Sequence, residues 1–66
     1  MISYVVIETD AVNEQYRYYF KDVTNAKSFM LEESNKFNCN SEYTLTTEEI
    51  PDDTNICWVD EDYAVV

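Results

Sequence analysis

The chain has no histidine and no glycine, a single proline, two cysteines and four basic residues among its 66 positions. Each shortage closes a class of function. Without glycine there is no phosphate-cradling loop, and the sharp turn of an EF-hand is missing. Without histidine the commonest general acid or base is absent. Two carboxyl groups at a set separation suffice for glycoside hydrolysis, but a domain this short can hardly form the cleft, so the expectation is a non-enzymatic protein. Cys39 and Cys57 lie eighteen positions apart with no C-x-x-C spacing. Met1 leads straight into a strand-like run with no basic segment before it, so no secretory signal is expected, and the thiols are expected free in a reducing cytoplasm. Nothing basic near Cys57 in sequence would lower its pKa, which makes it a buried structural cysteine rather than a reactive one. No apolar run approaches the roughly 20 residues that span a bilayer.

Acid and aromatic residues fill the space these absences leave. The formal net charge is −10, and residues 37 to 66 carry eight acids and no base, whereas residues 1 to 36 carry six acids against Arg17, Lys21, Lys27 and Lys36. Self-repulsion of this size works against compaction, so the asymmetry suggests a use, most simply attraction to a basic partner. It argues against nucleic acid or an anionic membrane as ligand, since both are polyanions. Six Tyr, three Phe and one Trp, with 45% hydrophobic residues overall, separate the chain from disordered acidic proteins. In a single short domain those rings must supply much of the core.

Along the chain, residues 2 to 9 (ISYVVIET) read as a strand with apolar residues on both faces. That pattern suits a central strand covered by a helix on one side and by aromatic side chains or a partner on the other. Asn13 in the following DAVNE loop can take the turn conformation that glycine would otherwise supply. Residues 15 to 21 alternate, with Tyr16, Tyr18 and Phe20 on one face and Arg17, Tyr19 and Lys21 on the other. The two bases are expected to offset Glu8 or Asp10 across the hairpin. Thr24 or Asn25 offers an N-cap to a helix over about 24 to 37, with Ala26, Phe29, Met30 and Phe37 as its apolar stripe and Lys36 suiting its C-terminal dipole. Residues 42 to 50 are β-prone, with Tyr43, Leu45 and Thr47 opposite Glu42, Thr44, Thr46 and Glu48, and Pro51 ends the run. Ile56 to Val59 begin a fourth strand. The expected fold is α+β, a small antiparallel sheet in ββαββ order with one helix packed on one face of a single domain.

The stretch Glu48 to Asp62, EEIPDDTNICWVDED, is the candidate site. Its carboxylates, Asp52, Asp53, Asp60, Glu61 and Asp62 among them, lack EF-hand spacing, so neither a metal nor a cofactor is expected. A stacking platform for nucleic acid in Tyr16, Tyr18, Tyr19 and Phe20 fails on electrostatics. What remains is a solubilising surface or an imitation of a polynucleotide. A 66-residue globule is roughly 28 Å across by the usual scaling. That length of duplex presents about 8 phosphates on one side, matching the acids after Phe37.

In size, charge and richness in Tyr, Asn and Asp the chain resembles the small acidic proteins with which bacteriophages inactivate host factors, the DNA-mimic inhibitors among them. The resemblance implies competition with DNA for the basic surface of a host protein in the host cytoplasm, a histone-like nucleoid protein being the first guess. On that expectation Glu42, Glu48, Glu49, Asp52, Asp53, Asp60, Glu61 and Asp62 form one rigid acidic face, and Trp58 or Tyr63 anchors the partner. An acidic adaptor on a non-DNA surface of RNA polymerase or a protease is the alternative. A homodimer is a further expectation, because the two-sided first strand and the Val65–Val66 end call for cover.

Overall fold

The computed structural model describes residues 1–36 and 40–60. Its elements are β1 (Ile2–Thr9), β2 (Gln15–Phe20), α1 (Val23–Ser34) and β3 (Glu42–Glu49). They form a three-stranded antiparallel sheet in the order β2-β1-β3 with one helix. The described residues extend 37 × 30 × 15 Å, a thin slab rather than the compact globule on which the phosphate count rested.

The two-sided strand takes the central place its pattern asks for, and Val5 and Val6, adjacent in sequence and on opposite faces, are both fully buried. On the helix face Val6 packs with Phe20 and Ala26, and Tyr4, Tyr18, Phe29, Met30 and Leu45 close around them. Phe29 reaches from α1 to two of the rings of β2, its centroid 4.8 Å from Tyr18 and 5.3 Å from Phe20. Tilted aromatic contacts of this kind add to the area they bury. Burying Phe20 alone is worth about 1.5–3 kcal/mol.

The β1–β2 hairpin turns on Asp10 and Asn13. The Asp10 carboxylate accepts from the Val12 and Glu14 amides at 3.0 and 2.9 Å. Asn13 has φ 66°, the left-handed value that Asn tolerates better than other non-glycine residues. The helix begins earlier than expected because Asp22 is its N-cap, accepting from the Thr24 amide at 2.7 Å. It ends at Ser34, where the Asn35 amide returns to the Leu31 carbonyl at 3.2 Å. Lys36 therefore lies beyond the helix and pairs with Glu33 at 2.7 Å instead of serving the dipole. Phe37, expected on the apolar stripe, lies outside the described residues.

The fourth strand does not form among the described residues. After Glu49 the chain extends the β3 pairing by one residue, Met1 and Ile50 exchanging both backbone bonds at 2.7 and 2.8 Å. At Pro51 the chain leaves the ladder. Residues 50–58 cross the outer face of the sheet as a strap. Pro51, Ile56 and Cys57 share a surface with Arg17, Tyr19 and Glu48. The strap reaches the far edge, where Trp58 makes a single parallel bridge with Tyr19. The physical reason is the second face of β1. Ser3, Val5 and Ile7 need cover, and a hairpin partner beside β3 would have left them in water, whereas a strap carrying Ile50, Ile56 and Trp58 across the sheet covers them. The second apolar face of β1, one of the two grounds for expecting a homodimer, is thus covered by the chain itself; the other, the Val65–Val66 end, lies outside the described residues.

Candidate functional site

The eight carboxylates expected on one face are divided. Glu48, Glu49, Asp52 and Asp53 gather where β3 ends and the strap begins, and Glu42 stands at the other end of β3, six residues before Glu48. At about 3.3 Å per residue that separation is about 20 Å. Asp60 is on the opposite edge of the sheet and is engaged within the fold: its carboxylate accepts from the Lys21 amide at 3.0 Å, the Asp22 amide at 2.9 Å and Asn25 Nδ2 at 3.2 Å. Glu61, Asp62 and Tyr63 lie outside the described residues. Among the described residues these groups therefore do not form a single continuous array. Alternation separates Glu48 from Glu49, and the strap takes Asp60 across the molecule.

Trp58, expected as an anchor for a partner, is 9% exposed and packs on its own sheet. The Lys21 ammonium sits 5.4 Å from its ring centroid, a cation–π contact that closes this edge. Cys57 reverses the other expectation: it is exposed and free, because in the extended strap Ile56 and Trp58 turn inward and the residue between them turns out. Cys39 lies outside the described residues.

Arg17 and Lys21 do not offset Glu8 or Asp10. Arg17 is on the outer face, whereas Glu8 is on the helix face, so the guanidinium reaches over β1 to Glu48 at 3.2 Å. Both partners of that pair are well exposed, which limits its worth to at most about 1 kcal/mol. Among the described residues no other Lys or Arg ion pair touches Glu42, Glu48, Glu49, Asp52 or Asp53; Asp52 accepts from the Met1 nitrogen at 3.1 Å.

The fold also brings together acids that the sequence places in its more balanced half. Glu8, Asp10 and Glu14 surround the β1–β2 turn, and Thr9 stands opposite Glu42 in the ladder. Tyr16 donates to Glu14 at 2.9 Å and to Asp10 at 3.3 Å, while Tyr18 and Ser41 donate to Glu8 at 2.9 and 2.8 Å. These bonds need the phenols neutral. The Glu14 carboxylate, by hydrogen bond and then by charge, raises the Tyr16 pKa to about 12. Burial, followed by the bond to Glu8, raises that of Tyr18 to about 12. The signal available in sequence was the hairpin itself, which had to place Asp10 and Glu14 at one end of the sheet, beside the start of whichever strand paired with Thr9. No group of three or more His, Cys, Asp or Glu side chains is arranged to hold a metal among the described residues.

The third element of the surface is the backbone of β3. Met1 and Ile50 form a hydrogen-bonded pair. In an antiparallel ladder such pairs alternate, so Glu48, Thr46, Thr44 and Glu42 direct their N–H and C=O groups toward β1, and Leu45, Thr47 and Glu49 direct theirs away from it. The Ser3 hydroxyl, donating to the Glu48 carbonyl at 3.1 Å, agrees with this phase. No described segment pairs with that outward row. No described helix is long and apolar enough to cross a membrane. Comparison with protein-family models, with curated proteins and with solved structures finds no match. The class the fold defines is a small α+β domain, and the surface defines it further as one with an acidic open edge.

Proposed function

We propose that this chain is a non-enzymatic binding protein whose acidic β3 edge occupies the basic surface of a partner protein, the DNA-binding surface of a histone-like host protein being the first target. One observation carries the reading. Glu42, Glu48, Glu49, Asp52 and Asp53 lie along one exposed strand and the turn that follows it, and Arg17 is the one Lys or Arg side chain paired with any of them among the described residues. Charge so arranged accelerates encounter with a basic surface and disfavours polyanions as ligands. The two ends of β3, about 20 Å apart, would contact separate basic patches.

The division into two ends favours a second reading, in which the protein is an acidic adaptor on a non-DNA surface of an enzyme such as RNA polymerase or a protease, because a polynucleotide's charge would run without a break. Competition separates the two. A pull-down from bacterial lysate, treated with DNase and repeated at raised salt, identifies the partner, and duplex DNA is then titrated into the complex. Displacement by DNA, together with steep weakening between low and moderate ionic strength, is the result expected for occupation of a DNA-binding surface. A complex that excess DNA leaves intact assigns the adaptor role.

A further inference from the structure

We infer that the outer edge of β3 is a strand-addition site, taking an extended segment of the partner whose residues alternate between basic and apolar. This rests on the reading of the acidic edge as a surface for a basic partner and specifies how that partner docks. The backbone provides the first argument: Leu45, Thr47 and Glu49 turn N–H and C=O groups outward, and no other described segment bonds to them. Rows of this kind are templates for an incoming strand.

The two faces that such a strand would extend differ in chemistry, and this selects the occupant. On the outer face Glu42 and Glu48 flank Thr44 and Thr46, so alternate residues of the incoming strand meet carboxylates at both ends. On the helix face Thr47 and Glu49 stand toward one end, and next to them Leu45 and Tyr43 meet the rim of a mostly apolar cleft of about 480 Å³ between α1 and β3, with Lys27, Met30, Leu31 and Ser34 on its helix side. Leu31 is 63% exposed there. Alternate apolar residues of the incoming strand would lie over that rim and bury it. A basic and apolar alternation therefore fits both faces at once.

Charge also disfavours a second copy as occupant. Antiparallel pairing of two β3 strands must join outward residues to outward residues. Centred on Leu45, it sets Glu42 of one copy opposite Glu48 of the other; centred on Thr46, it makes them diagonal neighbours. Like charges in either position are destabilising.

The test uses a synthetic peptide alternating Lys and Val over the length of β3, added to the whole protein, with residue-resolved amide hydrogen exchange as the readout. Exchange at Leu45, Thr47 and Glu49 is expected to slow by about tenfold or more at saturation, while Thr44 and Thr46, already bonded to β1, change little. Thr47→Pro removes one outward N–H without touching the ladder to β1 and is expected to weaken the peptide about tenfold. Should that variant fail to fold, exchange on the unaltered chain decides by itself. The inference is overturned by a peptide that does not bind, by one that binds without slowing the outward amides, or by a β3-paired dimer in sedimentation with those amides already protected. Binding without protection removes strand addition and leaves the acidic-surface reading standing, whereas protection by the peptide with a DNA-insensitive natural complex removes the DNA-surface target and leaves strand addition.

Discussion

At the β2 edge the residue that ought to present bare backbone, Tyr19, is bridged by Trp58, roofed by Lys21 over the indole and tied to the start of α1 by Asp60. At the β3 edge Leu45 and Thr47 present theirs with no described segment paired to them, and the other side chains of β3 are acidic or hydroxylated. Both edges belong to one small sheet, yet the chain closes the first with Trp58, Lys21 and Asp60 and leaves carboxylates along the second. The difference shows two ways of managing an open edge: covering it with one's own chain, or charging it so that copies of itself are repelled. A charged edge remains usable by a strand of opposite sign.

Breaking the covered edge should have the largest effect. Trp58→Ala removes the strap's buried ring and is expected to cost about 3–5 kcal/mol, comparable to the whole stability of a domain of this size, so urea denaturation should show a chain largely unfolded or shifted far toward low midpoint. Asp60→Ala takes away the acceptor for the Lys21 and Asp22 amides, and a loss of about 1–2 kcal/mol is expected, with faster exchange at those two amides. Replacing Glu48 and Glu49 by Gln at the open edge reverses the pattern: stability changes by no more than about 1 kcal/mol, the bound on the exposed Arg17–Glu48 pair, while affinity for the Lys–Val peptide falls about tenfold and its salt dependence flattens, measured by calorimetry at two ionic strengths. The smallest effect concerns the turn end that joins the two edges. Because the Tyr18 phenol titrates near 12 in the fold against about 10 when unfolded, the unfolded chain releases its proton first. The stability this group contributes is whole below pH 10 and is lost as pH rises toward 12, so Tyr18→Phe should flatten the alkaline limb of a stability-against-pH curve.

Much of this was written locally. The hairpin follows from alternation in two runs and an Asx turn around Asp10 with Asn13 at positive φ, and β3 from its own alternation and Pro51. The helix was legible to within its ends: Asp22 displaced Thr24 as cap because its carboxylate reaches the Thr24 amide, a choice that depends on the path of the preceding strand. The strap was not legible. Ile56 to Val59 have the composition of a strand, and nothing local says whether such a segment pairs beside β3 or crosses the sheet to cover Val5. The candidate surface shared that fate, since Glu8, Asp10 and Glu14 join Glu42 only through strand pairing, and Asp60 leaves the acidic set because the strap carries it away.

The sequence alone determined the charge, the aromatic core, the strand and helix periodicities and therefore the class of fold, since these depend on neighbours within a few residues. The tertiary structure alone decided which acids stand together, which edge is closed and whether Trp58 faces a partner or its own sheet. Those outcomes are set by the need to bury the second face of β1, a demand that acts between residues some fifty positions apart, as in Val5 and Trp58.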